Sequence, residues 1–175
     1  GSGRFSINAS TGGLTFAVAP DFEAPADADA NNVYLVTVAV SDNTGGSDTQ
    51  ALSVTVTDIN DAPIITSNGG SATASVSIAE NTTAVTTTAA TDADAPTQTL
   101  TYAIAGGADA ARFAINSSTG VLAFTAAPDF DPPRDAGANN VYAVTISAYD
   151  GNGDADATAM SVTSTYAHDD TGIIS

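Results

Sequence analysis

The stretch Asn31-Asn-Val-Tyr-Leu-Val-Thr-Val-Ala-Val-Ser41 sets the fold class, and the chain writes it twice: it returns as Asn139-Asn-Val-Tyr-Ala-Val-Thr-Ile-Ser-Ala-Tyr149. Tyr34, Val36, Val38 and Val40 alternate with Leu35, Thr37 and Ala39, and Tyr142, Val144, Ile146 and Ala148 keep the same beat. A period of two predicts a half-buried strand. Downstream, Leu52, Val54 and Val56 form another such face, echoed by Met160 and Val162. Upstream, Phe5 and Ile7, then Leu14 and Phe16, flank a Ser-Thr-Gly-Gly turn and predict a hairpin, repeated by Phe113, Ile115, Leu122 and Phe124. Ala74–Ala79, Ala84–Thr88 and Thr99–Ala105 add strands to the second copy, and no stretch holds a helical period for ten residues. Short strands between Gly, Pro, Asn and Asp turns, about seven per copy, predict an all-β chain of tandem Greek-key β-sandwiches.

The copies stand at one offset: Arg4-Phe-Ser-Ile-Asn-Ala-Ser-Thr-Gly12 matches Arg112-Phe-Ala-Ile-Asn-Ser-Ser-Thr-Gly120, and Ala19-Pro-Asp-Phe22 matches Ala127-Pro-Asp-Phe130. More than half of the positions from Arg4 to Thr57 are identical, without a gap. So long a period is a whole domain rather than a solenoid unit. The expected organisation is the C-terminal part of a first repeat over 1–57, a linker over 58–63, a second repeat over 64–166 and a tail over 167–175. Nothing in the first copy matches Ile64–Ala110, so the first repeat is expected to be incomplete as written, in a segment of a longer array. Its strands are expected near Arg4–Asn8, Gly13–Ala17, Asn32–Ser41 and Gln50–Thr57.

Twenty acidic residues, nearly all Asp, face three Arg and no Lys, for a net charge of −17. Such a field repels nucleic acid and anionic membrane surfaces and attracts cations. No apolar run approaches a membrane span, so direct membrane insertion is not expected. There is no cysteine, and a domain of ~100 residues buries enough core without disulfides.

The acids gather. Asp21-Phe-Glu23 follows a strand and a proline; Asp58, Asn60 and Asp61 sit in Asp58-Ile-Asn-Asp-Ala-Pro63 at the seam; Asp92-Ala-Asp94 opens a loop; Asp150 ends a long strand. This set resembles the cadherin repeat, in the form found in large bacterial surface proteins, over nearly the whole chain. The resemblance implies calcium at the junction between repeats. The ligands it implies are Asp21 and Glu23 from the first repeat, Asp58, Asn60 and Asp61 from the linker, and Asp92, Asp94 and Asp150 from the second. Glu80, in Ala79-Glu-Asn81, matches the acidic residue near the start of the family's first strand and would serve a distal site with Asp129 and Asp131. The pattern departs from the family at Ala62, where a second Asn is usual, and at Tyr166-Ala-His-Asp-Asp-Thr171, which stands where a second linker would be. There only Asp169 aligns with an expected ligand, and His168 reads as a solvated terminal residue.

Charge arithmetic points the same way. If these eight groups meet, seven carboxylates crowd one place, and at ~5 Å with an effective dielectric of ~20 each pair repels by roughly 3 kcal/mol. Calcium accepts 6–8 oxygens, bidentate carboxylates and carbonyls included, whereas magnesium demands a stricter octahedron. A chain with no Cys and one His disfavours zinc. Asp21 and Glu23 alone could pass for a catalytic carboxylate pair, but no second catalytic element accompanies them, and an enzyme is not expected. Asp27 and Asp29 read as a solvated loop, and Asp48, Asp154 and Asp156 as hairpin-tip charges. The sequons at Asn8, Asn81 and Asn116 read as strand-end turns.

The function expected is that of a calcium-stiffened extracellular repeat of a bacterial adhesin or biofilm protein, a rigid spacer secreted to the cell surface. Its partners would be neighbouring repeats or other copies of itself. A calcium-dependent carbohydrate-binding module, with cell-surface or matrix polysaccharide as partner, and a self-assembling filament subunit completed by donated strands are the alternatives.

Overall fold

The computed structural model describes residues 2–42 and 44–167. Apart from short 3-10 turns, its regular structure among those residues is all β, and the chain divides into two units, Gly1–Ile59 and Asn60–Ser175.

The first unit consists of two hairpins. Strands β1 (Phe5–Ile7) and β2 (Leu14–Phe16) pair across the Gly12 turn, and β3 (Val33–Ser41) pairs with β4 (Ser47–Thr55) from Val33 opposite Thr55 to Ser41 opposite Ser47. The turn between β1 and β2 forms because Asn8 Oδ1 accepts from the N–H groups of Ser10 and Thr11, a side-chain substitute for backbone pairing. Its heart is aromatic: Phe5 and Phe16 lie 4.5 Å apart and both pack nearly perpendicular to Tyr34, which is buried. Val36, Val38, Leu52 and Val54 are only half-buried.

The second unit is a β-sandwich. Strands β5 (Ile64–Ile65), β6 (Thr73–Ala79), β7 (Ala84–Thr87), β8 (Ala90–Thr91), β9 (Thr101–Gly106), β10 (Phe113–Ile115), β11 (Val121–Phe124), β12 (Val141–Tyr149) and β13 (Ala155–Thr165) follow in order. They form a four-stranded sheet β6-β13-β12-β9, a three-stranded sheet β10-β11-β7, and the short pair β5-β8. All ladders are antiparallel except β6 with β13. The two larger sheets close on Phe113, Leu122, Phe124, Tyr142, Val144, Ile146, Met160 and Val162. Each such burial is worth about 1.5–3 kcal/mol over exposure. Side chains from β6, β7 and β9 (Val76, Ile78, Val85, Ile104) complete the cover. The four strands of the first unit correspond in sequence to β10–β13, and Leu35 and Val40 on them are exposed.

The alternation read from sequence corresponds to the inward faces of β3 and β12. The edges differ by one to three residues. Thr88 lies beyond β7, where its N–H binds the Gly120 carbonyl at 2.8 Å. Asp48 is not at a hairpin tip: it lies within β4, paired with Val40.

The β6–β13 register puts Ala79 beside Thr165, while β12 ends at Tyr149 beside Ala155. Glu80 and Asp150 therefore mark opposite ends of the four-stranded sheet. No helix among the described residues is long and apolar enough to cross a membrane.

Candidate functional site

In the first unit, the proline-led loop after β2 turns on Asp21, whose Oδ1 accepts from the N–H groups of Glu23 (3.1 Å) and Ala24 (3.2 Å). A carboxylate oxygen of Glu23 and one of Asp58 lie within 4.8 Å of each other. The two come from separate segments, the loop before β3 and the stretch after β4.

In the second unit, five of the expected residues converge. Asn60 Nδ2 donates to Asp150 Oδ2 at 2.7 Å and to Asp154 Oδ2 at 2.8 Å. The backbone N–H of Asp61 donates to Asp94, 3.1 Å from Oδ1. Asp92 Oδ1 accepts from the Asp94 N–H at 3.0 Å, which folds Asp92-Ala-Asp94 into a turn. Gln98 Nε2 donates to Asn60 Oδ1 at 2.9 Å and also to Asp94 Oδ2. Asp94 and Asp150 are each 5 % exposed. Asp92 Oδ2 and Gln98 Oε1 are buried and have no hydrogen-bond partner among the described residues.

The electrostatics are one-sided. The hydrogen bond from Asn60 is the largest influence on the Asp150 carboxyl; with the N–H groups of Asn152, Asp154 and Gly153 it outweighs burial and holds the pKa below the ordinary Asp value. The donors are all neutral, so the negative charge stays. The second unit's arginines are engaged elsewhere, Arg112 with Asp109 and Arg134 with Asp129, each at 3.9 Å. Hard carboxylate and amide oxygens, two of them buried and orphaned, fit a cation of the calcium kind.

At the other end of the sheet, Glu80 is 9 % exposed and both its oxygens are occupied: Oε2 accepts from Phe130 N–H at 3.0 Å and Oε1 from Ala167 N–H at 2.9 Å. Asp129 Oδ1 accepts from the Asp131 N–H at 3.1 Å. The structure thus brings Glu80 to the peptide between Asp129 and Asp131, as the backbone's acceptor. His168 and Asp169 lie outside the described residues.

Three readings need correction. Asp154 and Asp156 are more than hairpin-tip charges, because Asp154 holds the Asn60 amide and Asp156 Oδ2 accepts from Ile65 N–H at 2.8 Å. Asp27 is not simply solvated: its carboxylate accepts from the N–H groups of Asn31 (2.9 Å) and Asn32 (3.1 Å), and Asp135 does the same for Asn139 and Asn140. The recurrence of Asp27 as Asp135 could have revealed this. Gln98 and the buried Asp109, which accepts from Ala136 and Ala143 N–H, were missed, and neither has a counterpart in the first copy.

The family model described as the cadherin domain matches residues 74–165. Among solved structures, the chain resembles mouse Cadherin-23 EC22-24 (TM-score 0.60, 23 % identity, 95 % of this chain and 51 % of that one). It also resembles Drosophila N-cadherin EC1-4 (TM-score 0.66, 20 % identity, 93 % and 40 %). Human Protocadherin-24 EC1-2 matches with a TM-score of 0.64 at 20 % identity, over 94 % of this chain and 77 % of that one. The chain spans about half the length of the first of these and less of the second. No curated protein matches the sequence.

Proposed function

As the chain belongs to the cadherin family, whose domains are extracellular adhesion modules, we propose that it is a calcium-stiffened spacer of a bacterial surface adhesin or biofilm protein. The observation that carries this reading is the convergence of Asn60, Asp61, Asp92, Asp94 and Asp150 in the second unit, with Asp92 Oδ2 buried and unpartnered.

Asp21 and Glu23 from the first repeat and Asp58 from the linker would serve the same ions as those five residues. Calcium supplies positive charge that lets carboxylates from successive repeats share one place. The residues do the rest. Asn60 ties the linker to Asp150, Asp94 fixes the linker peptide at Asp61, and the turn at Asp92 leaves its Oδ2 buried and unpartnered. With the linker held at both points, tandem repeats act as a rod that carries a binding region away from the cell. The partners are then neighbouring repeats or other copies of the chain. A distal site at Glu80, Asp129 and Asp131 is weaker in support, since both Glu80 oxygens already bind the backbone.

Small-angle scattering with calcium and with a chelator tests the proposal. The maximum dimension is expected to be larger and better defined with calcium; identical profiles would reject the reading.

A further inference from the structure

We propose that Asn32 is a positioning residue for calcium, through a side-chain amide that fixes the Asp21–Glu23 loop against the strand leading to Asp58. The inference rests on the calcium reading above. Asn32 Nδ2 donates to the carbonyl oxygen of Phe22 at 2.9 Å, the residue between the two carboxylates. Its own carbonyl accepts from Val56 N–H at 2.9 Å, two residues before Asp58. Its backbone N–H is held by Asp27 Oδ1 at 3.1 Å. One residue thus joins the two segments whose Glu23 and Asp58 oxygens lie within 4.8 Å of each other.

Two features argue that the amide is there for Phe22 rather than for packing. Asn32 is 8 % exposed, yet its Oδ1 has no partner among the described residues. A buried acceptor left unpaired is unfavourable, so a residue serving only to fill space would be apolar. Its backbone also sits at φ 62°, a region that Asn tolerates better than most side chains. Holding the Phe22 carbonyl orients the peptide plane between Phe22 and Glu23, and with it the directions in which Asp21 and Glu23 point. Outer-shell partners of metal ligands act in this way.

The second repeat supplies a control within the same chain. Asn140 Nδ2 donates to the Phe130 carbonyl at 3.0 Å, its carbonyl accepts from Ser164 N–H, its N–H is held by Asp135, and its Oδ1 is likewise unpartnered. Asn140 therefore does the same structural work for the Asp129–Asp131 loop, away from the residues that converge on Asn60.

The experiment compares Asn32→Gly and Asn140→Gly in the full chain by calorimetric calcium titration and by melting in chelator. Glycine keeps the positive φ and removes only the side chain. Asn32→Gly is expected to weaken calcium binding about tenfold, within the usual range for outer-shell changes, while Asn140→Gly leaves the affinity of the Asn60 cluster unchanged. Melting in chelator should fall to a similar extent for both. Unchanged affinity in Asn32→Gly, or equal weakening by Asn140→Gly, overturns the inference. So does a far larger melting loss for Asn32→Gly in chelator, which would make its effect general unfolding. If the unaltered chain takes up no calcium, the calcium reading itself falls, and the inference with it.

Discussion

Asn60 donates a hydrogen bond to Asp150 at 2.7 Å, joining positions 90 residues apart in the sequence. The same nitrogen reaches Asp154, and the amide oxygen is held by Gln98. The linker is thereby fastened at Asn60 to the residue that follows β12, without any ion. What a bound calcium ion would add is neutralisation, and this divides the tests into those that remove charge and those that remove scaffold.

Calcium should raise the melting temperature of the chain. At 100 times its dissociation constant a ligand contributes about 2.7 kcal/mol per independent site. For a domain of this size that is a shift of roughly 10–20 °C. Differential scanning calorimetry with calcium and with chelator measures it, and superimposable traces would count against a calcium role.

Asp61→Ala and Asp92→Ala should each weaken calcium binding, and Asp48→Ala should not. Asp92 brings a buried, unpartnered oxygen and Asp61 is held by Asp94, whereas Asp48 lies exposed in β4. Isothermal titration of the three variants separates a defined cage from general attraction to a net charge of −17, which would affect all three alike.

Acid should loosen the second unit in part through Asp135. Burial acts to raise this carboxyl's pKa, but the N–H groups of Asn139, Asn140 and Gly137 bind it and hold it below the ordinary value. A carboxyl depressed in the folded state stabilises above its unfolded pKa of ~3.9, and that contribution disappears as pH falls through the folded value. Asp135→Asn should cost about 1–3 kcal/mol at neutral pH. The gap to the unaltered chain should then narrow below pH ~4. Denaturant titrations over a pH series decide it; a gap that persists into strong acid would disprove the assignment.

Gly120→Ala should destabilise more than Gly12→Ala, although the two positions correspond. Both are left-handed, with φ +69° and +73°. Alanine at either carries a backbone penalty of about 1–2 kcal/mol. At Gly120 a Cβ would also lie 2.1 Å from the Thr88 carbonyl oxygen, while at Gly12 it meets nothing within 4 Å. Equal losses in denaturant melts would mean that Thr88 can move aside at little cost.

Much of this was legible from residue order. The alternation of Tyr142, Val144 and Ile146 sufficed for β12 because a half-buried strand has only two faces. The grouping of Asn60, Asp61, Asp92, Asp94 and Asp150 followed from a family resemblance; pattern alone would not have joined Asp150 to Asn60 over so long a separation. Asp27, Asp135 and Asp156 escaped because an aspartate accepting from the backbone has the same composition as a solvated one. Which N–H groups lack partners is a property of the folded chain. Gln98 was invisible for another reason: its value lies in length, reaching Asn60 and Asp94 at once.

The parallel ladder between β6 and β13 has a mechanical consequence. The chain enters β6 at Thr73 and leaves β13 at Thr165, and the seven pairs from Thr73–Ala159 to Ala79–Thr165 put these two points at opposite ends of one ribbon. Tension applied through them runs along the strands and loads every pair together, in shear. A hairpin pulled from its open end yields one pair at a time. The second unit is therefore wired to resist stretching between Thr73 and Thr165, with its first and last long strands acting as a clasp.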